Sequence, residues 1–395
     1  MNFFFFILIS VVPILLRLHV AEGNSVGQAT GLDFDVYFYC RLITILVCGL
    51  IVRAFTRPKF KTTYIIPLLG FQFLLLMSAV FSPYTAVAFL GMPNYYEGYL
   101  AFTAYLMLLF AASGVQIKLE KYVTVSVFLV FFFACLQFTF GNILDFKWIR
   151  FLANLKEATT FGQNHPMYGN FGNANHLGFY CAIVFPFLFS VMLGKQPKER
   201  AKMTMGLPVS IVLVMAFLSE NRGGWISVAI TSLVIMYLSR NWIYLFLFGG
   251  TSLIFYRQIL NRLFADNSRW FIWKNMWPLL KSTILLGKGP ATFVFYYPQV
   301  PGILVDRPHS IYFQLWHAGG FVSLVLMGYV VLDFFYCSFR TLRDEMDYNL
   351  LGITMSVLGF LIAGIFTDSV VGVSQIAWIM LGSGVGLIYR KEKRL

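Results

Sequence analysis

Charged side chains are scarce in this sequence. They make up 12% of its 395 residues, whereas 58% of the residues are hydrophobic. Soluble domains carry about 25% charged residues, so this composition excludes an ordinary soluble enzyme. It also argues against a nucleic-acid-binding protein, despite a formal net charge of +13. The excess of positive charge instead predicts anionic partners, either lipid head groups or an anionic substrate.

Cysteine is also infrequent, with five residues, and none lies in a CxxC or His/Cys pattern that would predict a metal site. Strand-like alternation of apolar and polar residues is missing, and no long repeat is visible. These absences leave helices as the predicted elements.

Long apolar runs dominate what is present. Many are of roughly 17 to 25 residues, enough to cross a hydrocarbon core of ~30 Å. We predict an all-α integral membrane protein with about 12 transmembrane helices, in which residues 1–395 form a single polytopic domain. Two of the predicted spans cover residues 310–335 and 350–367. The N-terminal run MNFFFFILIS lacks a basic start and a clear cleavage site, which favours a retained span over a signal peptide.

Lys and Arg residues cluster in alternate connections, which predicts that those connections and both termini are cytoplasmic. Residues 257–309 are the exception. This segment falls on the opposite side, yet it contains seven basic and two acidic residues. A long loop can cross a membrane whatever its charge. We favour the alternative, a large extracytoplasmic loop that carries part of a site for an anionic substrate.

Two short amphipathic helices are predicted in this loop, in IFYRQILNRLF and RWFIWKNMWPLLKS. In the second, Trp270, Trp273 and Trp277 share one face, which favours an interfacial anchor over a sugar-stacking platform. Pro278 is expected to kink this helix or end it early. Arg269 lies in its first turn, where free N–H groups favour anions, so it is a candidate phosphate ligand. The alternative is an arginine that reaches lipid phosphate.

Polar residues also occur at the predicted outer ends of other spans. Arg222 either pairs with Glu220 in a structural turn or binds an anion. Asn173 and Asn175 belong to an asparagine-rich turn that either caps a helix or lines a site. Glu97 is a candidate for binding substrate hydroxyls or an arginine.

The stretch VDRPHSIYFQ precedes the predicted span 310–335. His309 can accept a proton near neutral pH and is a candidate base. Pro308 restricts the chain before it, and Ser310 is a candidate helix cap. Arg307 and Lys288, the latter in a glycine turn, are candidate supporting cations.

Taken together, the stretches FGNANHLG, ENRGGW, SRWFIWKNMWPLLKSTILLGKGPATF and DRPHSIYFQLWHAGG resemble the O-antigen ligase and O-antigen polymerase family of membrane glycosyltransferases. The resemblance covers about Gly169 to Gly320. Each stretch is weak alone, and their order, spacing and predicted outward placement make the resemblance specific.

The resemblance implies a bundle of ten to fourteen helices in the bacterial inner membrane, with the active site on the extracytoplasmic face. It implies transfer of glycan from a polyprenyl-pyrophosphate donor to an acceptor glycan or lipid, with no cofactor or required metal. Arg222 and Arg269 would contact the pyrophosphate, and His309 would act as the base or position the acceptor. Ser310 departs from the asparagine that the family usually has there.

Three alternatives stay open. The enzyme could be a polymerase, which the DRPHS form favours, or a ligase that transfers finished glycan to a lipid core or other acceptor. A lipid-linked glycan transporter is less favoured, because transporters place ionisable residues near the membrane midplane. Asp33 and Asp35 form a D-x-D pattern that would suit a metal-dependent transferase, although a chance acidic loop explains them as well.

Overall fold

The structure is a computed structural model, and it describes residues 1–15, 36–92, 97–140, 166–171, 173–195, 200–241, 268–298 and 305–393. Every regular element in these ranges is a helix, as the long apolar runs predict. Helices satisfy each backbone N–H and C=O within one segment, which hydrocarbon surroundings require. The all-helical fold class is therefore confirmed for this part of the chain.

Fifteen helices are named here in chain order. They are α1 (Asn2–Ile14), α2 (Val36–Ala54), α3 (Ile65–Val80), α4 (Thr85–Leu90), α5 (Tyr99–Gly114), α6 (Leu119–Phe140), α7 (Ala174–Gly194), α8 (Arg200–Leu218), α9 (Arg222–Leu238), α10 (Ser268–Lys281), α11 (Phe293–Tyr296), α12 (Ile311–Gly319), α13 (Phe321–Asp344), α14 (Tyr348–Ala363) and α15 (Ser374–Glu392).

Four helical segments are long and apolar enough to cross a membrane: Thr62–Val80, Leu119–Thr139, Ala174–Gly194 and Phe321–Asp344. Several shorter apolar helices accompany them, among them α5, α9 and α14. The count of about 12 spans stays a prediction. The first predicted amphipathic helix and the D-x-D pattern lie outside the described residues.

Two predicted spans have different limits in the structure. The span 310–335 is interrupted at Gly320, whose φ of +91° suits glycine, so that α12 and α13 are separate helices. The span 350–367 ends earlier, because α14 stops at Ala363. The remaining residues join the connection between α14 and α15, Gly364 to Val373, called here the hub segment.

The second amphipathic helix is confirmed as α10, but Pro278 does not end it early. The tryptophans do not form one exposed stripe either. Trp270 and Trp277 are exposed, whereas Trp273 packs inward beside the buried side chains of Ile272 and Met276.

The centre of the bundle is α7, which packs against α8, α9 and α14. Of its most apolar 18-residue window, 94% is buried. Glycines permit this close packing. A Cβ atom on Gly359 of α14 would overlap the carbonyl oxygen of Ala182 in α7, and one on Gly224 of α9 would lie 2.8 Å from the carbonyl oxygen of Gly178. The helices are therefore in backbone contact.

Ion pairs bring several predicted cytoplasmic connections together at one end of the bundle, called here the basic end. Lys195 lies 3.1 Å from Glu120, Lys391 lies 3.0 Å from Asp347, and Lys61 lies 3.6 Å from Glu392. At the opposite end, called here the polar end, α5, α7, α9 and α15 begin and α14 ends. The sixteen residues of α5 separate the two ends by ~24 Å.

Replacing Gly359 by alanine should destabilise the bundle by about 1–3 kcal/mol, because the new methyl group meets backbone that cannot rotate away. Thermal unfolding of the detergent-solubilised protein measures the effect. The matched control is Gly206→Ala in α8, where an added Cβ meets nothing within 4 Å. Equal midpoints for the two variants would contradict the close contact between α7 and α14.

Candidate active site

The turn that contains His309 connects Pro308 to the start of α12. His309 has a φ of +54°, in the left-handed region that side chains with a Cβ rarely adopt. Such a conformation costs about 1–3 kcal/mol and persists only where neighbouring contacts enforce it. Strain of this kind is common at functional sites, so the contacts that hold His309 are informative.

Those contacts come from Asp368 in the hub segment. Its carboxylate accepts the backbone N–H groups of His309, at 3.1 Å, and Ser310, at 3.0 Å. The same carboxylate lies 3.3 Å from Nδ1 of His309. The side chain of Asp368 is 4% exposed and that of His309 is 37% exposed. The buried carboxylate thus orients an imidazole that is partly accessible at the polar end.

Ser310 occupies the N-cap position of α12, but its side chain makes no capping hydrogen bond. The expected cap is therefore wrong. Its backbone N–H bonds to Asp368 instead, and the next residue, Ile311, donates its N–H to the carbonyl oxygen of Gly364 at 2.9 Å. The hub segment consequently satisfies donors that begin α12.

Helix α10 approaches the same turn through Trp273. The indole Nε1 donates to the carbonyl oxygen of Pro308 at 2.8 Å, and the ring lies 6.3 Å from that of Phe366 in the hub segment. Arg269 lies one helical turn earlier on the same face. The N-terminal turn of α10, which carries Arg269, therefore lies one helical turn from the contact between Trp273 and Pro308.

Arg222 begins α9 at the polar end. The neighbouring Gly223 contacts the hub segment closely, since a Cβ there would lie 3.3 Å from Cβ of Phe366. Asn221 caps the helix by accepting the N–H of Gly224. These contacts bring Arg222 to the hub segment that also carries Asp368. Glu220, in the turn before it, has a φ of +54°.

The predicted asparagines have structural contacts. Asn173 caps α7 by accepting the N–H of Asn175 at 2.8 Å. The side-chain oxygen of Asn175 accepts from Nδ2 of Asn221 at 2.6 Å, which ties the start of α7 to the start of α9. Capping thus occurs as expected, and contact of these asparagines with substrate stays a prediction.

Glu97 is 2% exposed and belongs to a buried network beside Asp368. Its carboxylate accepts from the hydroxyl groups of Tyr105, at 2.5 Å, and Ser369, at 2.8 Å, and from Nε2 of Gln314, at 3.2 Å. Burial raises the pKa of the Glu97 carboxyl to about 7, while these hydrogen bonds and the positive charge of Arg307 act to lower it. The carboxyl is therefore able to change its protonation near neutral pH.

The two supporting cations differ in position. Arg307 precedes the His309 turn, with Nε 3.7 Å from a carboxylate oxygen of Asp306. Lys288 is at the other end of α12, where its backbone N–H bonds to the carbonyl oxygen of His317 and its Nζ lies 5.6 Å from the ring centroid of Tyr296. No contact described here brings Lys288 to His309, and its role stays a prediction.

Asp368 and Trp273 are the residues whose roles sequence reasoning missed. Asp368 lies in IFTDSVVG, directly after the predicted span 350–367. A single acidic residue at such a position is easily interpreted as part of an ordinary loop. The signal was an ionisable residue beside membrane spans, since such residues are rare and functional. Trp273 differed from its neighbours by no visible sequence feature.

Residues 207–328 match the sequence model of the family described as O-antigen ligase. The matched range contains Arg222, Arg269 and His309, whereas Glu97 and Asp368 lie outside it. The match confirms the resemblance to the O-antigen ligase and polymerase family. With the apolar helices, it indicates an integral membrane protein and a glycosyltransferase-like activity in surface-polysaccharide assembly. A comparison with curated proteins found no match.

The raised pKa of Glu97 predicts a pH-dependent stability. The folded protein retains a proton that the unfolded chain releases between about pH 4.5 and 7. The stability from this proton is present below about pH 4.5 and is lost as the pH rises to about 7. The midpoint temperature of thermal unfolding, followed by tryptophan fluorescence, should therefore fall more steeply with rising pH in the native protein than in Glu97→Gln. Asp344→Asn, at the exposed basic end, is the control and should keep the native slope, and an unaltered slope in Glu97→Gln would contradict the assignment.

Proposed function

We propose that this chain is a membrane glycosyltransferase that transfers glycan from a polyprenyl-pyrophosphate-linked donor to an acceptor sugar on the extracytoplasmic face. The observation that carries the proposal is the buried Asp368 carboxylate holding His309 beside Trp273 of α10, one helical turn after Arg269. This arrangement combines a base with a binding site for an anion.

His309 serves as the general base in this reaction. Nε2 takes the proton of the acceptor hydroxyl, whose oxygen bonds to the sugar carbon attached to the pyrophosphate. The bond from that carbon to the phosphate oxygen breaks, and the pyrophosphate leaves as an anion. Asp368, 3.3 Å from Nδ1, stabilises the imidazolium that forms.

Arg269 and Arg222 stabilise the departing pyrophosphate. A guanidinium group forms paired hydrogen bonds with phosphate oxygens, and free N–H groups at the start of a helix add favourable dipoles. Both arginines begin helices that contact the hub segment, and this supports a role for them in balancing the negative charge that develops on the leaving group. Because pyrophosphate is a stable leaving anion, this stabilisation contributes more than protonation by an acid would.

An apolar cavity supports a lipid-linked donor. It has a volume of about 390 Å³ and is lined by side chains of α5, α12, α13, α14 and α15. Its polar limit is Ser369, next to Asp368, and its lining includes Leu332, which is 71% exposed on the surface of the bundle. An isoprenoid chain inserted between these helices would hold its pyrophosphate at the His309 turn.

The sidedness follows from charge. Connections at the basic end carry the cations expected of a cytoplasmic face, which supports an extracytoplasmic position for the polar end and its site. In a bacterium this is the outer face of the inner membrane, with both termini inside. Among the enzyme types, we favour a polymerase, with a ligase as the alternative.

Three substitutions test the catalytic roles. His309→Ala should lower kcat by about 10²–10⁴-fold because the base is lost. Asp368→Asn should lower it by about 10²-fold or more because an amide does not stabilise an imidazolium. Arg269→Ala should lower it by about 10²–10³-fold because the leaving anion loses charge stabilisation.

The assay measures glycan transfer by variants reconstituted at equal amounts after confirmed membrane insertion. Arg343→Ala at the basic end, 80% exposed, is the control and should retain native activity. Full activity in both His309→Ala and Arg269→Ala would reject the proposed site.

The reaction product separates polymerase from ligase. Purified protein in liposomes, supplied with lipid-linked repeat units alone, should produce a ladder of lengthening lipid-linked chains. A single transfer that requires a separate acceptor would instead identify a ligase. Movement of the intact donor across the bilayer without any new glycosidic bond would identify a transporter and contradict both enzymes.

A further inference from the structure

A second cavity lies at the basic end, far from His309. It has a volume of about 650 Å³, within the range of small-molecule sites. It lies where α5 ends and α6 begins, and it also contacts α7, α8, α14 and α15. The reaction proposed above does not use this region, and no residue that lines the cavity falls within the range 207–328 that matches the O-antigen ligase family.

Cations surround the mouth of this cavity. Lys118 and Lys121 lie at the start of α6, and Arg390 lies near the end of α15. The acidic residue in the lining, Glu120, is already paired with Lys195 at 3.1 Å. The mouth therefore has an excess of positive charge and favours an anion.

Two hydroxyl groups lie deeper in the lining. Oγ1 of Thr124 is one turn along α6 from Lys121, and Oγ of Ser383 is two turns along α15 from Arg390. Both oxygens are inaccessible to solvent and have no hydrogen-bond partner among the described residues, and Ser383 as a whole is 6% exposed. Buried hydroxyls normally have partners, and a polar group bound in the cavity would supply a partner to these two.

Apart from Gln116 and Asn349, the remaining lining is apolar, with Val125, Phe187, Ile353 and Leu387 among its residues. A free phosphate ion would leave this wall uncovered, whereas an anionic lipid places its phosphate at the cations and its acyl chain against the wall. We propose that the cavity binds the phosphate-bearing head group of an anionic phospholipid at the basic end of the bundle.

The test is lipid binding to the full-length protein in neutral detergent, counted by native mass spectrometry. Phosphatidylglycerol and phosphatidylcholine of equal chain length are titrated separately, and inorganic phosphate is added as a competitor. We expect phosphatidylglycerol to bind at least about tenfold more tightly than phosphatidylcholine, because its head group has a net negative charge, whereas the choline cation of phosphatidylcholine cancels the charge of its phosphate. Millimolar phosphate should not displace it.

Two variants locate the binding. Lys118→Gln combined with Lys121→Gln should weaken phosphatidylglycerol binding by about tenfold. Thr124→Val combined with Ser383→Ala should weaken it by about fivefold without any change of charge. The matched control is Arg340→Gln combined with Arg343→Gln, which removes two charges at the same end outside the cavity and should alter binding by less than about twofold.

Three results would overturn the proposal. An equal loss in the control pair would mean that diffuse surface charge attracts the lipid. Displacement by inorganic phosphate would identify a soluble anion as the occupant. Equal binding of both lipids would show that only the apolar wall is recognised. Each result is independent of glycan transfer, which the His309 variants test.

Discussion

The polar end of this protein depends on one buried carboxylate. Asp368 accepts two successive backbone N–H groups, those of His309 and Ser310, and also contacts the imidazole of His309. A carboxylate that is 4% exposed is costly unless hydrogen bonds and charges compensate it. The left-handed conformation of His309 supplies the geometry in which all three interactions occur together. The two hydrogen bonds and the contact with the imidazole therefore offset both the strain in the turn and the burial of the carboxylate.

The hub segment extends this constraint to the rest of the site. Phe366 contacts Trp273 of α10 and lies against the start of α9, while Ser369 donates to Glu97 ahead of α5. Helices α9 and α10 and the residues ahead of α5, which are distant in sequence, thus contact the same ten consecutive residues. The segment in turn rests on α14, whose glycine contact with α7 leaves little freedom to shift. Rigid helix packing is what would keep a base and two arginines in register, as a preorganised site requires.

The two ends of the bundle divide polar functions between them. The polar end contains the buried Glu97 carboxyl, whose pKa is raised to about 7, together with His309 and several helix N-termini. These groups suit the reacting anion of the proposed transfer. At the basic end, ion pairs such as Lys195–Glu120 neutralise part of the positive charge. Other cations line the second cavity, which suits an anion that is bound without reacting.

The sequence by itself determined the all-helical fold class and the candidate residues of the site. Apolar runs demanded helices because only helices satisfy their backbone in hydrocarbon, and glycine, asparagine and arginine clusters marked where those helices begin. Glu97, Arg222, Arg269 and His309 were recognisable because ionisable groups are costly beside membrane spans. These inferences depend on local composition and spacing, which a single chain displays directly.

Tertiary structure decided which residues act together. Asp368 is 59 residues from His309 and Ser369 is 272 residues from Glu97, so no local pattern could pair them. Local sequence also does not show that Trp273 packs inward, where its indole donates to the carbonyl oxygen of Pro308. Nor does it show that the predicted span 310–335 is interrupted at Gly320. Such contacts arise when helices pack, because packing selects among conformations that local sequence leaves nearly equal in energy.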